Sequence, residues 1–250
     1  MPNATVIYTK ENHIACLTLN RPDAGNTINQ QMAQELETIC SQINQDNDVY
    51  VVLITGGGDK AFCVGGELAS PESGSSYGAA RAIASIEQPV VAAINGDALG
   101  QGLELALSCD IRLASDKAKF GFPQIVQGLI PMDGGTQRLP RIIGKSKALE
   151  LILTGEIISA QEALEIGLVN KGIAGKELAA EAETIAKTLT TKGPIALRYA
   201  KEAINKGLDL TLEQGLHLEA DLYLLLHTTE DRTEGIKAFL EKRPPKFKGR

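Results

Sequence analysis

The stretch 89–107 carries residues whose types and spacing could do chemistry. An apolar run at 89–95 leads into glycines at 96, 100 and 102, and a helical stretch follows. Glycines let a backbone approach a ligand closely, and the first N–H groups of a helix have no partner within it, so they can bind an anion or oxyanion. The spacing matches neither the dinucleotide motif GxGxxG nor a phosphate loop ending in GKS or GKT. Two interpretations remain, an oxyanion-binding turn or a plain glycine turn.

Glu104 is an unusual residue for this place, because it lies three residues after Gln101 and its neighbours in sequence are apolar. Apolar surroundings raise the pKa of a carboxyl group by desolvation, which suits a general base. The alternative is a glutamate that is ion-paired or solvated at the edge of the helix.

A second glycine-bearing turn follows in the segment 61–68, which reads AFCVGGEL. It too could present a backbone N–H group. Two such donors that converge on one carbonyl oxygen form an oxyanion hole, and the loss of one donor typically slows catalysis by about a hundred- to a thousandfold.

The elements that must position these turns are predicted from hydrophobic periodicity. Residues 4–10 and 14–19 indicate a hairpin, 29–44 an amphipathic helix, and 50–55, 89–95 and 111–114 strands. Helices are predicted over 103–108, 146–153, 160–166, 176–189, 194–206 and 210–226. We therefore predict an α/β fold with a mixed core over 1–192 and a helical region over 193–250.

Composition excludes several classes of protein. The net charge of −6 argues against a generic nucleic-acid binder, since phosphate binding needs a basic surface. The four cysteines form no CxxC pair and the three histidines add no ligand spacing, so we predict neither a metal site nor a disulfide framework. No apolar run approaches the 18 residues of a membrane span, and the first 13 residues lack a signal-peptide pattern. We expect a cytoplasmic protein without membrane partners.

Ordered segments along nearly the whole chain resemble the enoyl-CoA hydratase/isomerase family, also called the crotonase family. AFCVGGEL at 61–68 resembles the family's AFCAGxDL, and INGDALGQGLELALSCDI within 91–111 resembles its ANGxxxGGGxELAxxCDI. FGFPQIVQGLIPMDGGTQR at 120–138 resembles FGxPExxxGxxPGxGGTQR, and 153–169 resembles LTGxxxxAxEAxxxGLV. The ending at 231–243, DRTEGIKAFLEKR, is similar to the family's ending as well.

The resemblance implies a crotonase-like spiral of ββα turns with a helical C-terminal region, assembled as a homotrimer or a dimer of trimers. It implies an acyl-CoA thioester as substrate, with no cofactor beyond the coenzyme A that the substrate carries. The thioester oxygen would lie between the backbone N–H groups of Gly66 and Gln101, the second of which is usually glycine in the family. Acyl-CoA binding and catalysis would then belong to 1–192, and oligomerisation and covering of CoA to 193–250.

The family's CoA-binding segments fall on particular positions of this chain. Those in the core region are Ala24, Gly25, Phe62, Gly66 and Leu68, and those near the C-terminus are Lys237, Phe239 and Lys242. In family members the C-terminal segment often covers the CoA of a neighbouring subunit, which would explain why Lys246 and Lys248 also cluster there. The alternative for this cluster is a frayed, solvated basic tail.

One departure from the family pattern bears directly on the reaction. Family hydratases use two glutamates to hold water and exchange the α-proton; the first is Glu104, but the second position is Gln124. Glutamine can orient water but cannot cycle a proton near neutral pH. The family's PGxGG reads PMDGG here, and Asp133 resembles an aspartate that transfers protons in dihydroxynaphthoyl-CoA synthase and ring-opening members. Asp133 could instead, or in addition, cap a helix over 136–143.

We therefore predict an acyl-CoA lyase or isomerase that is hydratase-like and forms a thioester enolate. Glu104 would move the proton or water, Asp133 would assist, and Gln124 would orient water. The alternatives are an enoyl-CoA double-bond isomerase, a hydratase of a cyclic or dienoyl-CoA, and a C–C bond hydrolase. A non-catalytic CoA-thioester binding protein is the alternative of another class, since Gln124 removes one acid from the expected pair.

Overall fold

The structure, a computed structural model, describes residues 4–67 and 78–250 of the 250-residue chain. Most strands lie in one six-stranded sheet of order β1-β2-β3-β5-β7-β10, in which only the β1–β2 hairpin is antiparallel. Its strands are β1 (Val6–Glu11), β2 (Ile14–Leu19), β3 (Val51–Gly56), β5 (Val90–Ile94), β7 (Ile111–Ser115) and β10 (Lys171–Ile173).

A second, smaller sheet has the order β4-β6-β8-β9, with β9 antiparallel to its neighbour. Each of its strands has only three residues: β4 (Ala61–Cys63), β6 (Asp97–Leu99), β8 (Lys119–Gly121) and β9 (Ile157–Ser159). In three successive turns of the fold, which begin with β3, β5 and β7, a long strand of the first sheet is followed by a short strand of the second sheet and then by a helix. This repetition confirms the predicted spiral of ββα turns.

Seven α-helices precede residue 194 in the described chain. Where a helix was predicted, its observed ends differ from the predicted ends by at most two residues. The seven helices are α1 (Gln30–Gln45), α2 (Ala79–Ala84), α3 (Gln101–Leu107), α4 (Gly135–Ile143), α5 (Lys145–Thr154), α6 (Ala160–Glu165) and α7 (Leu178–Thr190). Asn29 caps α1, because its side chain accepts a hydrogen bond from the N–H of Met32 at 2.9 Å. The six-residue α2 was not predicted.

The central strands β3, β5 and β7 of the first sheet are buried on both faces, as their continuous apolar runs require. β5 is buried along its whole length. One face packs on the large core, to which α1 contributes Met32, Leu36, Cys40 and Ile43. On the other face, α7 packs Ala182 and Ala186 against Val51 and Val91.

The described chain beyond 194 contains helices and no strand: α8 (Pro194–Gly207), α9 (Leu212–Leu226) and α10 (Glu230–Leu240). The sequence analysis missed α10. The tail that follows folds back on it, since the N–H groups of Lys248 and Gly249 donate to the carboxylate of Asp231 at 2.6 and 2.9 Å. The tail is therefore not frayed, although the lysines at 237, 242, 246 and 248 are exposed. The functional division at 192 stays a prediction.

No helix within the described residues is long and apolar enough to cross a membrane. The same part of the chain contains no group of three or more His, Cys, Asp or Glu that could hold a metal ion.

Candidate functional site

The packing of α3 against β4 positions the first predicted donor, the backbone N–H of Gln101. Gly100 precedes α3 with a φ of +54°, a conformation that favours glycine. A Cβ on Gly102 would lie 1.9 Å from the carbonyl oxygen of Cys63, so only glycine lets this helix approach the end of β4. The N–H of Gln101, in the first turn of α3, has no acceptor inside the helix and opens beside the segment that follows β4.

The second predicted donor, Gly66, lies in that segment. Ile28 brackets it: the N–H of Ile28 donates to Gly65 and the N–H of Glu67 donates to Ile28, both at 2.9 Å. In parallel pairing of this kind, the N–H of the bracketed residue points away from the partner strand. β4 and β6 are neighbours, so Gly66 and Gln101 follow the same ends of adjacent strands. The structure brings the two predicted donors together; their role as an oxyanion hole stays a prediction.

Glu104 is fully buried and held by one of its two oxygens. Its Oε1 accepts hydrogen bonds from the backbone N–H groups of Asp133 at 2.7 Å and Gly135 at 2.8 Å. Its Oε2 has no hydrogen-bond partner among the described residues. Burial raises the pKa of this carboxyl, the charge of Asp133 raises it further, and the backbone N–H groups oppose the shift. The alternative of an ion-paired or solvated Glu104 is wrong.

Asp133 serves a different helix from the one that was predicted. Helix α4 begins at Gly135 and has no side-chain cap, whereas Oδ2 of Asp133 accepts from the N–H of Ala80 at 2.7 Å and of Gly78 at 3.3 Å. The predicted capping of 136–143 is therefore wrong. The chain turns at Gly134, which has a φ of +108°. With this turn, the N–H of Asp133 donates to Glu104 and the side chain of Asp133 accepts from the start of α2. The predicted catalytic role of Asp133 stays untested.

Gln124 lies on a short 3-10 helix, Pro123–Gln127. Its Nε2 is 3.2 Å from the position that a Cβ on Gly100 would occupy, so its amide lies against the turn that opens α3. Its Oε1 is buried without a partner in the described structure.

Unpaired polar atoms concentrate at this place. Among the described residues, four buried side-chain oxygen or nitrogen atoms have no hydrogen-bond partner, and three of them belong to Gln101, Glu104 and Gln124. Buried polar atoms in folded proteins are nearly always satisfied, so such a cluster indicates a place where a polar ligand or water supplies the missing partners. The cluster contains Glu104 and the two glutamines, Gln101 and Gln124, that depart from the family pattern.

The predicted CoA-binding loop packs beside Gly66. Gly25 has a φ of +60°, and its carbonyl oxygen accepts from the N–H of Val64 at 3.1 Å. Ala24 is exposed. The sequence analysis missed Asn26, which is buried with a φ of +55° and donates through Nδ2 to the carbonyls of Gly57 and Ala61, both at 2.9 Å. A turn asparagine directly after Ala24-Gly25 was the available signal, because asparagine tolerates positive φ.

The other predicted CoA contacts are distributed more widely. Phe62, a predicted CoA contact, is 0% exposed and packs within the large core. Leu68 lies outside the described residues. On α10, Lys237 lines a cavity of about 610 Å³ and Phe239 is 82% exposed; Lys242 follows the helix. Their contact with CoA stays a prediction.

The C-terminal tail is anchored far from the predicted CoA-binding loop around Gly25 of the same chain. A Cβ on Gly249 would lie 3.6 Å from the ring of Tyr50, which directly precedes β3. Asn26 instead bonds to Gly57, just after the last residue of β3. The six-residue strand separates the two by about 20 Å.

The chain matches the enoyl-CoA hydratase/isomerase family over residues 9–250. It is 41% identical to the crotonyl-CoA hydratase of Syntrophomonas wolfei, with 99% of each chain aligned, and 39% identical to the short-chain-enoyl-CoA hydratase of Clostridium acetobutylicum, with 95% of each aligned. The crystal structure of an enoyl-CoA hydratase from Bacillus anthracis superposes with a TM-score of 0.94 at 40% identity, over 98% of this chain and 100% of that one.

Proposed function

The chain belongs to the enoyl-CoA hydratase/isomerase family, and we propose that it adds water to 2,3-unsaturated acyl-CoA thioesters by a mechanism with one proton carrier. The observation that carries this proposal is the state of Glu104. One oxygen is fixed by two backbone N–H groups and the other is buried and unpaired, while the pKa is raised by burial. Such a carboxyl is positioned to take up and release a proton.

In this mechanism the thioester oxygen accepts hydrogen bonds from the N–H groups of Gly66 and Gln101, which draws electron density from C3 of the substrate. Water forms a bond to C3 and gives its proton to Oε2 of Glu104. The electron pair of the C2–C3 double bond moves to the thioester as an enolate. Glu104 then returns the proton to C2, so the sum is the addition of one water molecule.

Gln124 has a supporting role in this proposal. Its unpaired Oε1 can accept a hydrogen bond from the attacking water, although the amide cannot replace a second carboxyl as a proton carrier. Asp133 assists by fixing Glu104 through its backbone N–H. The relatives named for crotonyl-CoA and short-chain enoyl-CoA support a short acyl chain.

A second candidate is a double-bond isomerase. The lack of a carboxyl at position 124 favours it, because a 1,3-proton shift takes a proton from one carbon and returns it to another through a single carboxyl. The enolate and its stabilisation by two backbone N–H groups would be the same in both reactions.

The test is the hydration of crotonyl-CoA, followed by the loss of the conjugated thioester's absorbance and by the mass of the product. We expect hydration in the wild type and a loss of about a hundred- to ten-thousandfold in Glu104→Gln. Glu37→Gln on the exposed face of α1 is the matched control and should retain the rate. Formation of a shifted double bond without added water would favour the isomerase, and binding without turnover would favour a non-catalytic binding protein.

A further inference from the structure

The side chain of Gln101 occupies the space that a side chain on Gly66 would need. Its Oε1 lies 1.7 Å from the position of a Cβ built on Gly66. Gly66 does not have the positive φ that its neighbour Gly65 has, so its backbone would accept other residues. Glycine at 66 is therefore needed for room, and that room is filled by the amide of Gln101.

This amide lies against Gly66, one of the two residues whose N–H groups are expected to bind the thioester oxygen, and its oxygen has no partner there. The Oε1 of Gln101 is buried, and no described residue donates a hydrogen bond to it. An amide that is not fixed by a partner can rotate by half a turn about its last bond, which exchanges its oxygen for an N–H donor. The bound ligand then determines whether the amide oxygen or the amide N–H points into the pocket.

We propose that the side-chain amide of Gln101 is a third hydrogen-bond donor to the thioester oxygen, beside the backbone N–H groups of Gly66 and Gln101. The inference deepens the proposed function and rests on it. As negative charge develops on the oxygen, it repels the amide oxygen and attracts the amide N–H. A side-chain donor from position 101 strengthens the polarisation of the thioester in a site where Gln124 has replaced a carboxyl.

The geometry couples the two positions in a way that can be measured. A Cβ on Gly66 would collide with the amide and push this flexible side chain out of its place, while the backbone N–H of residue 66 remains. Gly66→Ala and Gln101→Ala should therefore cause the same defect by the same route. Residues that act through one contact have non-additive effects, so the double variant should be no worse than either single variant.

The experiment compares wild type, Gly66→Ala, Gln101→Ala and the double variant. The readouts are kcat and KM for crotonyl-CoA hydration, and the carbonyl stretching frequency of a bound 13C-labelled saturated acyl-CoA. We expect the wild type to lower this frequency most, and each variant to lower it less, with kcat reduced by about a hundredfold and KM little changed. Gln101→Glu keeps the volume but lacks the N–H donor, so it should lose at least as much.

Gln137→Ala, an exposed glutamine on α4, is the matched control and should change neither readout. The inference is overturned if Gln101→Ala keeps the wild-type kcat and carbonyl frequency, or if the losses in Gly66→Ala and Gln101→Ala add. A wild type that binds CoA thioesters without lowering the carbonyl frequency would instead overturn the proposed function, and the inference with it.

Discussion

Glu104 combines two properties that a proton carrier needs. Two backbone N–H groups fix the position of one oxygen, and burial makes the ionised form costly enough to raise the pKa. The hydrogen bonds limit that rise, because they stabilise the ionised form. The residue is therefore available as a base, and the proton that it takes is readily released.

The raised pKa of Glu104 predicts the acid side of the pH profile. The base must be ionised to take a proton from water, so kcat/KM should fall as the pH falls through the pKa of Glu104. Because burial raises this pKa, the fall should be centred above the ordinary value of 4.5 for glutamate. Asp133→Asn removes the nearby charge that raises it further, so this variant should shift the fall to lower pH. Steady-state rates across the acid range, with enzyme stability checked at each pH, would measure the shift.

A second carboxyl at position 124 should increase hydration. Gln124→Glu restores the family's residue beside the turn at Gly100, where a carboxyl can carry a proton that the amide cannot. We expect kcat for crotonyl-CoA to rise by about tenfold or more. Gln127→Glu, at the exposed end of the same 3-10 helix, is the control for added charge. An unchanged or lower kcat in Gln124→Glu would mean that the pocket is built around the amide.

Strand β5, the glycine turn after it and helix α3 were the most predictable part of the fold. Apolar runs, glycines and a helical period lie next to each other in sequence, so the strand, the turn and the helix could all be inferred. Burial of Glu104 was one of two interpretations, and the structure decides between them. The three-residue strands of the second sheet could not, because three residues carry no periodicity.

The contacts of Asp133 with α2 could not be predicted from the sequence either. Asp133 and Ala80 are 53 residues apart, and an aspartate before glycines is equally typical of a local helix cap. Only the path of the chain at Gly134 decides between the two. The unpaired amides of Gln101 and Gln124 were unpredictable for the same reason, since burial of their oxygens depends on tertiary packing.

The link between the Asp133 turn and α2 predicts a separable effect on stability. Asp133→Ala leaves two N–H groups at the start of α2 without their acceptor, so the free energy of unfolding should fall by about 1–2 kcal/mol. Asp133→Asn keeps an acceptor oxygen and should recover most of this loss. Urea unfolding of both variants would measure the effect. If Asp133→Asn is stable but loses proton transfer, the predicted catalytic role of Asp133 gains direct support; equal destabilisation in both variants would contradict the capping role.

At the scale of the whole molecule, the C-terminal helices expose several large apolar side chains. Leu212 is 81% exposed, Leu240 is 74% exposed and Leu208 is 67% exposed. Large exposed apolar patches mark sites of protein association. This surface supports association with further copies of the chain, as the expected homotrimer or dimer of trimers requires.

We predict a native mass of three or six chains by light scattering, with smaller species in the double variant Leu212→Glu, Leu216→Glu. Both residues are exposed on α9, and burying their new charges in an interface would be costly. Glu37→Lys, which changes charge on α1 instead, should retain the assembly. A monomeric wild type would contradict the oligomer prediction.

The most direct test of enolate chemistry on one carboxyl is deuterium exchange at the α-carbon of saturated acyl-CoA thioesters in D2O. The uptake of deuterium is measured as an increase in the mass of the thioester. We predict exchange in the wild type and a loss of about a hundredfold or more in Glu104→Gln, with thioester binding retained. Exchange that persists in Glu104→Gln, or a wild type that binds these thioesters without any exchange, would contradict it.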